Sequence, residues 1–183
     1  FFALMADPDR RPRRAVLNDL NLDLVATYEV VRDAPEALIA ALAPLADRYL
    51  DADAEAREAG YYEVRADRPT DPVAVAARLL FLNKTCFNGL YRVNSKGQFN
   101  VPFGAYSDPT ILDADNLRAC SKALKGAVIQ SGNFEQVLEI AEKGDFVYFD
   151  PPYAPLSETA DFTAYSKEGF DDAAQEMLLL VCL

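Results

Sequence analysis

Asp150-Pro151-Pro152-Tyr153 closes an apolar run, Phe146 to Phe149. An ionised aspartate only accepts hydrogen bonds. A proline has no N–H, so its carbonyl adds acceptor capacity and no donor, and two successive prolines fix φ and hold that carbonyl in place. Two such acceptors can converge on one –NH2 group, which has two hydrogens to give. Tyr153 adds a face on which a planar base can stack, worth about 1–3 kcal/mol. The exocyclic amine of a purine is a weak nucleophile, because its lone pair is delocalised into the ring. Acceptors on both hydrogens draw the nitrogen toward tetrahedral geometry and stabilise the positive charge that grows on it during attack. The bland alternative is an acidic turn after a strand.

Such a motif needs elements to hold it. "FVYF" reads as a strand ending at Asp150, and "GAVIQSG" as another. "RRAVLNDLN" gives a short strand around Ala15 to Leu17 that ends at Asp19, after which Asn21 can cap a helix through "LDLVATYEVV". "APEALIAALAPLADRYL" continues as helix with an interruption at Pro44, and "DADAEAREAGYYEVRADRP" is charged and expected to be exposed. Asp71-Pro72 is a cap followed by proline at the first helical position, opening "VAVAARLLFLN". Asn88-Gly89 and Ser95-Lys96-Gly97 are turn signals, and predict a loop and then a hairpin in which Tyr91 to Asn94 face Phe99 to Phe103. Pro102 restricts the second arm to an edge. "NFEQVLEIAEKG" reads as a helix closed by Gly144, and "EMLLLVCL" as part of another. Unbroken apolar strands separated by helices imply an α/β fold with a parallel, doubly wound sheet. Ligands of such sheets bind outside the carboxyl ends of the strands, which would bring Asp19 and Asp150 to one rim. Asp19 alone is equally well a helix-capping turn.

The chain has 183 residues, 51% of them hydrophobic, enough for one domain, or one with a sizeable insertion, around a real core. It holds no run near the roughly 18 apolar residues of a membrane span and no signal-peptide pattern, so no membrane partner is expected. Cys86, Cys120 and Cys182 lack metal-ligand spacing and suit a reduced, cytoplasmic setting. Histidine is absent, which rules out a His-based triad or a His-ligated metal within this chain; no metal is expected. The start at "FFAL", without Met, and the end inside a helical pattern read as a piece of a longer protein.

A net charge of -11 argues against nucleic acid, since phosphate binding needs Lys and Arg. The average conceals a local departure. Val73 to Ser107, 35 residues, contains no Asp or Glu but does contain Arg78, Lys84, Arg92 and Lys96, interleaved with Phe81, Phe87, Tyr91, Phe99, Phe103 and Tyr106. A basic, aromatic-laced segment in an acidic protein is a candidate nucleic-acid surface. A buried apolar segment would exclude acids as well, and charge alone does not separate the two.

"LNDLNLDLVATYEVVR", "FLNKTCFNGLYRVNSKGQFNVPFG" and "GDFVYFDPPYAPLSETADFTAYS" together resemble the Dam-type (D12 class) DNA adenine-N6 methyltransferases, in the family's order and over nearly the whole chain. The DPPY stretch is shared by amino-methyltransferases; the "FNGLYRVNSKGQFNVPFG" run is much more specific to the Dam group. The resemblance implies methyl transfer from S-adenosylmethionine to adenine N6 in double-stranded DNA, by a Rossmann-like methyltransferase core with an inserted target-recognition domain of helices and a β-hairpin. The implied division is core over 1–28, insert over 29–121, and catalytic part of the core over 122–183. Asp150, Pro151, Pro152 and Tyr153 match the catalytic motif. Asp19 matches the acid that binds the donor's ribose, with Leu20 beside its adenine, and Asn133, Phe134 and Asp150 complete the donor site. Phe87, Asn88, Leu90, Arg92, Asn94 and Pro102 match the hairpin that reads bases and parts the strands, with Lys96 in its turn. Arg92 suits guanine, because its fork fits O6 and N7 in the major groove; a phosphate contact or a salt bridge is its plainer role.

Three departures stand beside the match. The family's FxGxG donor loop would precede "FFAL". Ala105 and Ser107 stand where many relatives carry a basic residue, and Asn133 where the family often has an acid. Two other readings remain open: a non-catalytic nucleic-acid-binding fragment or degenerate relative, and an amino-methyltransferase acting on a protein glutamine.

Overall fold

The computed structural model describes residues 1–151, 170 and 172–182. After a short helix α1 (Phe2–Ala6), strand β1 (Val16–Asp19) leads into α2 (Leu22–Asp33), α3 (Pro35–Asp51), α4 (Ala54–Ala66) and α5 (Pro72–Thr85). A loop and hairpin follow, then α6 (Ala114–Leu124), strand β2 (Val128–Ser131), a one-turn helix α7 (Val137–Ile140) and α8 (Asp172–Val181). The strands β1 and β2 pair in parallel, with Val16 opposite Val128 and Asp19 opposite Ser131. The fold is thus mixed α/β with a small parallel sheet among the described residues.

Capping signals set the helix starts. The Asn21 side chain accepts from the N–H groups of Asp23 and Leu24, Asp53 from Ala56, Asp71 from Ala74 and Asp113 from Asn116, each supplying a partner the helix itself cannot. Pro44 does not interrupt α3, which runs through it. Its ring lies on the exposed side, where the carbonyl it leaves unpaired, that of Ala40, can meet water. The charged segment after α3 forms α4, held down by the fully buried Tyr61. Helix α6 turns Leu117, Cys120 and Leu124 to the core from among charged and polar neighbours. It is secured by a two-pronged bond from Arg118 to Glu36 on α3 (2.7 and 2.9 Å) and by Ser121 Oγ donating to the Arg32 carbonyl.

The core lies among α2, α3, α4 and α5, where Val30, Leu38, Leu42, Tyr49, Tyr61, Phe81 and Leu82 pack together with Val101 of the hairpin. Fully burying a side chain of Leu or Phe size contributes about 1.5–3 kcal/mol, so this helical body dominates the stability. Arg78 is buried too. Its Nε and Nη2 donate to the carbonyls of Val64 and Arg65 at the end of α4, and burial lowers its pKa, with nearby Arg68 adding to the effect.

Two expected elements do not form as read. Residues 146–149 are not a strand, and no backbone hydrogen bond joins them to β1 or β2. Phe146 and Tyr148 are 80% and 75% exposed. An apolar run becomes a strand only when a neighbouring backbone takes its N–H and C=O groups, and no described strand does so here. The helix expected from Asn133 to Gly144 shrinks to a 3-10 turn (Phe134–Gln136) and α7. Leu138, on its apolar side, is 66% exposed, and a helix this short does not persist without packing. Gly144 (φ 103°) instead serves a turn in which Asp145 N–H donates to the Glu142 carbonyl.

Candidate functional site

One candidate region is the carboxyl end of the β1–β2 pair. Asp19 ends β1 with its side chain exposed, and Oδ1 accepts from Asn21 N–H at 2.7 Å. Asn18 Nδ2 donates to the carbonyls of Gly132 and Asn133 (2.9 and 3.2 Å), which fixes the loop after β2 against β1. Asn133 Oδ1 accepts from Phe134 N–H, and the half-buried Phe134 ring meets Phe170 edge-on at 6.2 Å. Leu20 is 57% exposed beside Asp19. Asp19, Leu20, Asn133 and Phe134 therefore share one rim. Asp150 is exposed, and Pro151 half-buried, on the unpaired segment, so their position relative to that rim is not fixed by strand pairing. Pro152 and Tyr153 lie outside the described residues.

The second region is the hairpin. The two arms face each other as expected: Val93 pairs with Phe99, Asn94 N–H donates to the Gln98 carbonyl and Asn100 N–H to the Arg92 carbonyl. The far end of the second arm turns away, and Phe103 pairs with Cys86 instead. In the turn, Asn94 Oδ1 accepts from the N–H groups of Lys96 and Gln98, and Gly97 takes φ 73°. The Lys96 side chain is exposed at this tip. Arg92 lies against its cross-strand partner: Nε donates to Asn100 Oδ1 at 2.7 Å and Nη2 to the Asn100 carbonyl at 3.3 Å.

The loop that opens the hairpin is held from several sides. Phe87 N–H donates to the Pro102 carbonyl, Asn83 Nδ2 to the Gly89 carbonyl and the Cys86 thiol to the Leu90 carbonyl. Burial pushes that thiol's pKa up, keeping it a protonated donor. Asn88 adopts φ 53°, a left-handed conformation that asparagine tolerates better than most residues, and its N–H donates to the Tyr106 hydroxyl. Gly104 has no alternative, since a Cβ there would sit 2.6 Å from the Cys86 carbonyl oxygen. These bonds leave Phe87 (49%) and Leu90 (46%) exposed as large apolar groups on a braced loop. Such groups on a fixed backbone suit a partner with flat apolar faces.

The acid-free stretch thus has both origins. Its first half is α5, where Ala76, Ala77, Leu79, Phe81 and Leu82 are buried. Its second half is the exposed hairpin with Arg92 and Lys96. The two regions are neighbours: Tyr91 of the hairpin and Asp23, four residues beyond Asp19, line one small cavity. Burial raises the Tyr91 pKa, with Asn21 opposing the rise and Asp23 and Asp19 adding to it. Asn83, Asn100 and Tyr106 are braces that sequence reasoning missed. Their only signal is membership of the run that carries the hairpin.

A profile of the D12 class N6 adenine-specific DNA methyltransferases matches residues 1–182. The chain is 46% identical over 168 residues to the type II methyltransferase M.MjaIII of Methanocaldococcus jannaschii, covering 89% of this chain and 58% of that protein. It is 44% identical over 166 residues to the type II methyltransferase M1.LlaDCHI of Lactococcus lactis subsp. cremoris, covering 87% and 56%. To the DNA adenine methylase of Salmonella typhi it is 36% identical over 167 residues, covering 90% and 58%. The chain spans a little over half the length of these relatives. Similarity along nearly all of its length makes this chain a member of the D12 class of N6 adenine-specific DNA methyltransferases.

Proposed function

We propose that the protein carrying this chain transfers a methyl group from S-adenosylmethionine to N6 of a flipped adenine in duplex DNA, within GATC or a close relative of it. The observation that carries the reading is the closeness of the two regions, in which Tyr91 of the basic, aromatic hairpin and Asp23, just beyond the strand rim, line one cavity. A base extruded from DNA held on the hairpin would have that rim beside it. Family membership supports the chemistry. The proposed organisation is a Rossmann-like core over 1–28 and 122–183 around a target-recognition insert over 29–121. Three free thiols suit a reducing cytoplasm.

The rim fits the donor. Of the Asp19 carboxylate, only Oδ1 is committed to a hydrogen bond among the described residues, so the other oxygen can accept from a ribose hydroxyl. Exposed Leu20 offers an apolar wall for the donor's adenine, and Asn133 and Phe134 line the neighbouring strand end. When bound, the donor supplies an electrophilic methyl group on a sulfonium. Asp150 and the Pro151 carbonyl accept hydrogen bonds from the two N6 hydrogens, returning the nitrogen lone pair and stabilising the charge that grows there, and as the methyl is gained one of those protons leaves by way of Asp150 while the other stays on N6. Pro152 fixes the backbone and Tyr153 stacks on the adenine. Chemistry on a base inside the duplex is unreachable. Phe87, Asn88, Leu90 and Pro102 therefore part the strands, Arg92 reads a guanine, and Asn94 and Lys96 brace and charge the tip against phosphate.

The test is transfer of an isotopically labelled methyl group from S-adenosylmethionine to duplex DNA, with the product nucleoside identified by mass spectrometry. N6-methyladenine is the expected product. Label on cytosine, label on protein only, or binding of DNA with no transfer would replace this reading with another.

A further inference from the structure

We infer that Asn100 is a specificity-positioning residue: it occupies one edge of the Arg92 guanidinium and so dictates which edge is left to read a guanine. The inference rests on the base-reading role proposed for Arg92. A guanidinium presents two usable forks. The side-on fork is Nε with the adjacent hydrogen of Nη2; the end-on fork is Nη1 with the outward hydrogen of Nη2. Asn100 takes the side-on fork with two acceptors, Oδ1 on Nε at 2.7 Å and its own carbonyl on Nη2 at 3.3 Å. Because the guanidinium only donates, the amide atom facing Nε must be the oxygen, which settles the orientation of the Asn100 side chain.

Asn100 is itself fixed. Its N–H donates to the Arg92 carbonyl at 3.0 Å, so the two residues face each other across the hairpin. The adjoining Val101 carbonyl accepts from Tyr61 Oη at 2.8 Å and from Arg65 Nη1 at 3.0 Å, tying this arm to helix α4. The Arg92 head is therefore held in one plane by the hairpin before any ligand arrives. A pre-oriented end-on fork matches O6 and N7 of guanine with little ordering cost left for binding. Without Asn100 the same side chain would be free to swing to a phosphate, which any sequence offers.

The test begins with the parent protein's preferred duplex, selected from a randomised pool, and that duplex's single-base-pair variants in competition binding. Arg92→Ala is expected to lose about 5- to 150-fold of discrimination at one guanine. Asn100→Ala should lose most of that same discrimination while retaining affinity for unrelated duplex. Asn100→Asp, which keeps an acceptor for Nε, should restore discrimination to within about threefold of the parent, even if its charge weakens binding to every duplex. On the Arg92→Ala background, Asn100→Ala should add nothing. Unchanged discrimination in Asn100→Ala, or a loss equal in both backgrounds, overturns the positioning role and leaves Arg92 as a reader. Unchanged discrimination in Arg92→Ala, or a parent with no preferred duplex, overturns the base-reading role itself and this inference with it. A second measurement needs no variant to fold. In the parent, the Arg92 Nε–H should give a slowly exchanging NMR signal near neutral pH. Exchange as fast as that of the exposed Arg13 Nε–H overturns the inference.

Discussion

The hairpin and the DPPY approach are both rich in aromatic residues, yet only one is tied into the structure. Residues 86–104 are bonded on several sides, to Thr85 and Asn83 of α5, to Tyr61 and Arg65 of α4 and across their own arms. Residues 146–150 carry the more apolar run and leave Phe146 and Tyr148 mostly exposed. Apolar content therefore does not by itself decide order. What separates the two regions is whether the backbone's own donors and acceptors find partners. The hairpin finds them across its own arms and from the two helices α4 and α5 before it. The 146–149 run would need a neighbouring strand.

The sharpest way to break this contrast is by truncation at the two places. Leu82, fully buried in α5 beneath the hairpin, should cost about 2–5 kcal/mol as Leu82→Ala. Phe146→Ala, despite the larger side chain removed, should stay within about 0.5 kcal/mol of this chain's stability. Urea midpoints at constant m-value measure both. A large loss at Phe146 would mean that the segment is packed in solution.

Function should invert the ranking. Asp150→Ala should lower the methyl-transfer rate of the active protein by on the order of 10²–10³, with the urea midpoint of this chain unmoved, because the side chain is exposed. Single-turnover rates beside the unfolding curves test this. A variant keeping more than about half of the parent rate would make Asp150 structural.

A smaller effect separates the regions by pH. Burial raises the pKa of the Tyr61 hydroxyl, and those of Tyr49 and Tyr91, above the ordinary value. A raised folded-state pKa gives stability that is complete below the unfolded value, about 10 for tyrosine, and that is lost as pH climbs through the raised one. Thermal stability should thus fall above about pH 10. Tyr61→Phe removes the bond to the Val101 carbonyl, which still keeps Arg65 as a donor. It should cost about 1 kcal/mol at neutral pH and flatten the alkaline fall. An equally steep fall in Tyr61→Phe would assign the effect to other groups.

The smallest effect concerns the hairpin tip. Lys96→Ala should weaken DNA binding about equally on every sequence and reduce the slope of log affinity against log salt by about one. A sequence-selective loss would make Lys96 a reader and not a grip.

What was legible in the sequence was local. The caps at Asn21 and Asp71, the Ser95-Lys96-Gly97 turn and the facing of the arms around it each depend on residues a few positions apart, and each forms as expected. The end of β1 at Asp19 was legible for the same reason. The misreadings involve distant partners. Whether residues 146–149 become a strand, whether the 133–144 segment stays helical, and whether Phe103 pairs with Tyr91 or Cys86 all depend on what lies alongside. Helix α6 was missed because its narrow apolar stripe, Leu117, Cys120 and Leu124, is interleaved with charged and polar residues, and because the bond from Arg118 to Glu36 that helps to secure it joins residues 82 positions apart. At the site, residue types suggested the chemistry now proposed for Asp150 and Arg92. The braces Asn83 and Tyr106 act on backbone carbonyl and N–H groups, and Asn100 on the Arg92 guanidinium, which no motif displays.

The central claim is that the hairpin chooses the adenine and the DPPY motif methylates it. The most direct measurement is a genome-wide map of N6-methyladenine in cells expressing the full-length protein, its Asp150→Asn variant or its Arg92→Ala variant, in a host without adenine methylation of its own. The account predicts one sequence context for the parent, no N6-methyladenine with Asp150→Asn, and N6-methyladenine spread over contexts that differ at one guanine position with Arg92→Ala. Methylation on cytosine, or parent-like maps from both variants, would contradict it.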